Sequence, residues 1–166
     1  MAIRVVNTGS HLIANNVIDC GWPTRMGQPG NDAQGIGVFS QFAAWPMERA
    51  SVVDNFVTMS APEGTVFGPE SAGIMIEGFA YGNVVMNNRI RGRARAALTV
   101  KVFGNPPGTP ANNAFVLNRF DDFEASVADV FVGDGVMNTL IVGQGTVDDH
   151  GTGTVIVPLP RVRSTR

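Results

Sequence analysis

The stretch Gly82-Asn83-Val84-Val85-Met86-Asn87-Asn88-Arg89-Ile90-Arg91-Gly92 carries the frame on which the chain is built. It consists of an apolar residue, two spacers, Asn, one spacer and a second apolar residue. With the Asn as origin, copies centre on Asn16, Asn55, Asn88, Asn118 and, with Gly in its place, Gly145. Three residues earlier stand Ile13, Val52, Val85, Phe115 and Val142; two residues later stand Ile18, Val57, Ile90, Phe120 and Val147. A fixed frame with unequal spacing between copies is the mark of a solenoid whose loops differ in length.

The two apolar columns are separated by an odd number of residues, so an uninterrupted strand would send them to opposite faces. The chain must turn between them. Asn tolerates left-handed backbone better than most residues and Gly tolerates it best, which predicts a one-residue bend at each origin. Stacked copies would let the Asn amides hydrogen-bond from one coil to the next, a structural ladder of Asn16, Asn55, Asn88 and Asn118.

A second short strand is expected at Ile36-Gly37-Val38, Ile74-Met75-Ile76, Leu98-Thr99-Val100, Val130-Phe131-Val132 and Val155-Ile156-Val157, with the first copy opening at Ile3-Arg4-Val5. This predicts an all-β solenoid of about five coils with three short strands per coil. Residues 1–160 form one domain and 161–166 a basic tail holding Arg161, Arg163 and Arg166. Cys20 to Gln34, Gln41 to Ala50, Ser60 to Ala72 and Phe103 to Asn112 read as loops from their Pro and Gly clusters. Pro158 and Pro160 close the far end, because neither can donate to a further strand.

Composition agrees with this reading. In 166 residues, 20 Gly and 10 Pro favour turns between short strands. The net charge of -2 provides no global attraction to nucleic acid or to an anionic membrane, and neither is expected as a partner. The single Cys20 excludes an intrachain disulfide and is expected to be buried. No apolar run is long enough to span a bilayer, and the N-terminus lacks the layout of a secretory signal, so the sequence states no localisation.

The pattern Gly-Ile-x-Ile…Asn-Val-Val-x-Asn-Asn-x-Ile-x-Gly resembles the repeat of right-handed parallel β-helix proteins, the pectate-lyase-like superfamily. The resemblance runs from Ile3 to Val157 and implies that fold. Its functional implication is broad, since the scaffold serves lyases, hydrolases, epimerases, phage adhesins and domains of no known activity. Members usually carry an N-terminal cap, whereas here the first coil opens at Ile3. That predicts either the C-terminal part of a longer β-helix or packing of this uncapped coil against another chain.

Stacking the copies brings Arg91, Asp121 and Asp148 into one outer column, with Asp122, Asp149 and His150 beside it. One reading is an acidic site, binding Ca²⁺ through Asp121 and Asp148 or supplying paired carboxylates to a glycosidic bond. Arg91, Arg93 and Arg95 would then present guanidinium forks to acidic sugars, and the loop aromatics Trp22 and Trp45 would stack on sugar rings. The other reading is an Arg91–Asp121 ion pair within a solvated edge. Asp121-Asp122 and Asp149-His150-Gly151 resemble fragments of polygalacturonase-like motifs, but Arg89-Ile90-Arg91 precedes them where the family has a basic motif after the histidine. No complete catalytic motif and no certain metal or other cofactor site emerge.

Two functions stay open. The chain is a β-helix module that binds or processes polysaccharide, acidic sugars being favoured, with an active site that is incomplete here; or it is a structural or oligomerisation module. The outward positions Val53, Met86 and Val116 are apolar where a free face should be polar, which points to a partner, a covering loop or self-association.

Overall fold

The computed structural model describes residues 2–6, 9–21, 33–104, 106–143 and 145–159. Among them the structure is all-β without a helix, and every strand pairing is parallel. An eight-stranded sheet contains β1 (Ile3–Val6), β3 (Val17–Gly21), β4 (Gln34–Ser40), β7 (Phe56–Ser60), β8 (Ala72–Gly78), β11 (Arg89–Lys101), β13 (Phe123–Val132) and β15 (Val147–Asp149). A six-stranded sheet contains β2 (Leu12–Ala14), β6 (Ser51–Val53), β10 (Val84–Met86), β12 (Ala114–Val116), β14 (Leu140–Gly143) and β16 (Val155–Pro158). The short strands β5 (Met47–Glu48) and β9 (Ala80–Tyr81) pair with each other. These stacked parallel sheets are consistent with a β-helix-like solenoid.

The core follows from register. Ile13, Val52, Val85, Phe115 and Ile141 stack in the six-stranded sheet, and Ile36, Ile74, Leu98, Val130 and Val147 in the larger one. Both columns contribute to one hydrophobic core. Strand β11 joins two runs of the larger sheet: Arg89–Gly92 pairs with β7, and the stretch from Ala96 to Lys101 pairs with β8. The strand bends at Gly92, whose φ is +94°, where an added Cβ would collide with the Met59 carbonyl oxygen. Cys20 is buried, and burial pushes its thiol pKa up.

Asn16 Nδ2 donates to Asn55 Oδ1 at 2.9 Å, Asn55 Nδ2 to Asn88 Oδ1 at 2.9 Å, and Asn88 Nδ2 to Asn118 Oδ1 at 3.0 Å. Each accepting oxygen also takes the backbone N–H of the preceding Asn. A second chain of such bonds, not anticipated from sequence, runs at the opposite end of the same three-residue strands. There Asn83 Oδ1 accepts from the Ala50 N–H at 2.8 Å, and Asn83 Nδ2 donates to Asn113 Oδ1 at 2.9 Å.

Three expectations are corrected. The left-handed residue is not the ladder Asn but the one before it: Asn15, Asp54, Asn87 and Leu117 have φ between 53° and 58°. The turn is therefore made one residue earlier, which frees the ladder Asn to aim its amide along the stack. The last copy is also out of frame, because Ile141 rather than Val142 stacks on Phe115. Gly145 is accordingly not the fifth origin, and position 144 lies outside the described residues. Val147 stacks on Val130 and not on Phe120, while Val155–Pro158 joins the six-stranded sheet on β14. A short final connection brings the chain back to each sheet sooner than a constant frame predicts. Finally, Met47-Glu48 is a strand inside the expected Gln41–Ala50 loop, since Met47 fills the core. The tail 161–166, Pro160 and Trp22 lie outside the described residues.

The ladder predicts a positional effect. Asn88 is fully buried, and its oxygen serves two donors of Asn55. Asn88→Ala is expected to lower unfolding free energy by about 3 kcal/mol, since it leaves buried partners unsatisfied. Asn16→Ala, at the partly buried end of the ladder, should cost about 1 kcal/mol; urea denaturation compares the two. Leu117 is a half-exposed Leu held at φ 54°. Leu117→Gly should raise stability by about 1 kcal/mol in the same assay, by relieving a left-handed β-carbon.

Candidate functional site

The expected acidic column does not assemble. Asp121 lies in the turn before β13, where Arg89 Nε pairs with it at 3.2 Å. Asp148 lies in β15 opposite Phe131 and pairs with His150 Nε2 at 3.0 Å. Asp149 accepts from the Gly151 N–H at 2.9 Å and from Thr154 Oγ1 at 3.0 Å. Asp122 occupies a left-handed corner, and its carbonyl takes the Gly92 N–H at 3.0 Å. The shifted frame of the last copy is the physical reason: it moves Asp148 onto the Phe131 row, away from Asp121. Among the described residues no group of three or more His, Cys, Asp or Glu side chains is placed to hold a metal ion.

The arginine stripe is engaged within the chain. Arg91 Nε donates to Thr58 Oγ1 at 3.0 Å, and its guanidinium sits 4.8 Å from the centre of the Phe56 ring. Arg93 grips Glu124 with two bonds of 2.9 Å and holds that carboxyl below its ordinary range. Arg95 lies 4.9 Å from the centre of the Phe131 ring. The expected Arg91–Asp121 pair is replaced by Arg89–Asp121. Trp45 is 61% exposed and meets Phe42 edge-on at 5.7 Å.

Sequence reasoning missed the open cleft of about 680 Å³ beside the last levels of the stack. Phe120 and Phe123, both partly buried against the core, form its apolar wall, and Arg119, Asp121 and Asp129 supply charge. Asp129 Oδ2 is held by the Thr146 N–H at 2.7 Å and by Thr146 Oγ1 at 3.0 Å. Gly145 forms part of the wall because a β-carbon there would press on Phe120 and Asp129 at 3.0 Å. Arg119 is exposed and has no ion-pair partner among the described residues. Of the expected substrate-binding residues, Arg91, Arg93, Arg95 and Trp45 do not line this cleft; of the acidic candidates, Asp121 does. The sequence signal was Arg119-Phe120-Asp121-Asp122-Phe123, an aromatic pair interleaved with charge.

A second polar cluster was also missed. Lys101 Nζ bonds Glu70 and lies 3.7 Å from Glu77 Oε2, and Gln34 Nε2 donates to Glu70 Oε2 at 3.2 Å. Burial, followed by the charge of Glu70, raises the Glu77 pKa from 4.5 to about 7, against the opposing pull of Lys101. The segment after β7 brings Glu70 onto the outer face of the larger sheet, where Glu77 and Lys101 already stand in register.

Comparison with known proteins finds no matching family model, no matching curated protein and no matching solved structure.

The Glu77 site sets a pH dependence. Its folded pKa is raised, so the folded chain keeps a proton that the unfolded chain has released. The resulting stability is complete below pH 4.5 and is lost as pH rises through about 7. Melting temperature should therefore fall across this window, and Glu77→Gln should flatten that part of the profile. An unchanged slope in the variant would rule out Glu77 as its source.

Proposed function

We propose that the chain is a right-handed parallel β-helix of the pectate-lyase-like kind, with about five coils of three short strands, and that it binds an acidic polysaccharide without cleaving it. Parallel crossovers within one sheet favour the right-handed sense. The observation that carries the binding reading is the cleft at Phe120 and Phe123, where exposed Arg119 pairs with no carboxylate among the described residues. The aromatic rings suit the apolar face of a sugar, and a guanidinium fork suits a uronate carboxylate.

The state of the acids favours binding over hydrolysis. Asp121 is tied to Arg89 and Asp129 to Thr146, whereas hydrolysis of a glycosidic bond calls for one carboxyl that donates a proton and one that attacks or activates water. Both carboxylates serve here to shape the wall. A scaffolding role is favoured independently by the uncharged outer face of the six-stranded sheet.

Calorimetric titration with oligogalacturonate, oligomannuronate and a neutral glucan tests the reading. Binding of at least one acidic oligomer, weakened by salt, is expected, with no new reducing ends or unsaturated uronate formed. Arg119→Ala should reduce affinity about tenfold or more, as expected for loss of one charge-assisted contact. Equal affinity for neutral and acidic chains, or an unaffected variant, would sink the proposal.

A further inference from the structure

The outer side of the six-stranded sheet carries a feature that the ligand cleft does not use. Strands β2, β6, β10, β12 and β14 turn Ile13, Val52, Val85, Phe115 and Ile141 to the core and the residue on either side of each outward, while β16 at the end of the stack is exposed throughout. Register aligns the outward residues in two straight columns, one running from Leu12 through Val84 to Val155 and the other from Ala14 through Met86 to Val157. Ser51 is the sole polar residue in either column, and neither contains a charge. Leu12 is 72% exposed, Val155 55% and Met86 39%. A continuous apolar face of this kind marks an interaction surface.

Its rims indicate what fits. The left-handed corners form two rows along the stack: Arg49, Gly82, Asn112 and Asn138 on one side, and Asn15, Asp54, Asn87 and Leu117 on the other. Arg49 and Asp54 are the only charges in these rows, and they flank the same strand, β6. Both are exposed, and no ion pair engages Arg49 among the described residues. Asp54 Oδ1 accepts from Asn87 Nδ2 at 2.5 Å.

We propose that this face binds a second copy of the chain, with the two molecules parallel and related by a twofold axis along the stacking direction. That operation exchanges the rims while keeping each level opposite itself. Arg49 then faces the partner's Asp54, and the symmetric contact repeats on the other rim. An antiparallel pair would carry Arg49 to a level whose rim holds no carboxylate. The apolar columns place no charge against charge. Six strands at about 4.8 Å spacing give a face roughly 24 Å long and about 10 Å wide. This is smaller than the roughly 800 Å² per partner of a standard interface, so the dimer is reversible and concentration-dependent.

Sedimentation equilibrium of the full chain from micromolar to submillimolar concentration tests the proposal. The mass should rise with concentration from 17.6 kDa toward twice that value. Arg49→Asp and Asp54→Arg should each weaken association about tenfold or more, whereas the double variant, or an equimolar mixture of the two single variants, should restore it. Met86→Lys should leave a monomer with an unchanged melting temperature, since its side chain lies outside the core. A wild-type monomer throughout, or a dimer indifferent to Met86→Lys, would overturn the proposal. Weakening by both charge reversals without recovery in the double variant would overturn the parallel arrangement.

Discussion

The amide-to-amide hydrogen bond between successive ladder asparagines is the interaction on which the rest of the stack depends. A parallel β-stack meets its backbone hydrogen bonds along the strands, but at every corner the chain leaves strand geometry and a buried N–H would lose its partner. The ladder supplies that partner from the next level: Asn88 Oδ1 takes both the N–H and the Nδ2 of Asn55. The Asn88 amide in turn reaches the Val52 carbonyl at 2.8 Å. Each corner is thus satisfied by the levels on either side of it. A chemically different residue at one level is felt at two.

Two such corners bracket each of β6, β10 and β12. The left-handed residue makes the turn and the next residue fills the hydrogen-bonding position, Ala50, Asn83 and Asn113 on one side and Asn55, Asn88 and Asn118 on the other. This division of labour keeps the intervening strand short and flat. It also produces the outer apolar face, because a three-residue strand with its middle residue inward must send both neighbours out.

Charge is distributed by the same geometry. In parallel registry an outward residue meets its counterpart one level away, so Arg93 finds Glu124 and Lys101 finds Glu77. Of the three arginines that the sequence offers as ligand-binding groups, Arg93 is thus taken by Glu124, while Arg91 bonds Thr58 and Arg95 lies over the Phe131 ring. Arg119 escapes because its bridge partner in the stack is Arg89, which is itself drawn to Asp121. The cleft beside it exists where the last levels change frame, and Gly143 and Gly145 line the resulting opening.

The sequence by itself determined the inward apolar columns from Ile13 to Phe115 and the stacking of Asn16, Asn55, Asn88 and Asn118, because each follows from the recurring spacing of apolar residues about an Asn. It also exposed the apolar outward positions Val53, Met86 and Val116. Only the tertiary structure decided which residues of different copies become neighbours. A one-residue change of frame alters every contact on a stack, and nothing local to Ile141 or Val142 discloses which of them follows Phe115. That displacement separated Asp148 from Asp121. The Glu70–Lys101–Glu77 cluster stayed hidden for a related reason, since Glu70 reaches the others from a loop that belongs to no repeat. The Asn-centred phrase therefore specified the corner, while the connections between the stacked strands decided where the charges meet.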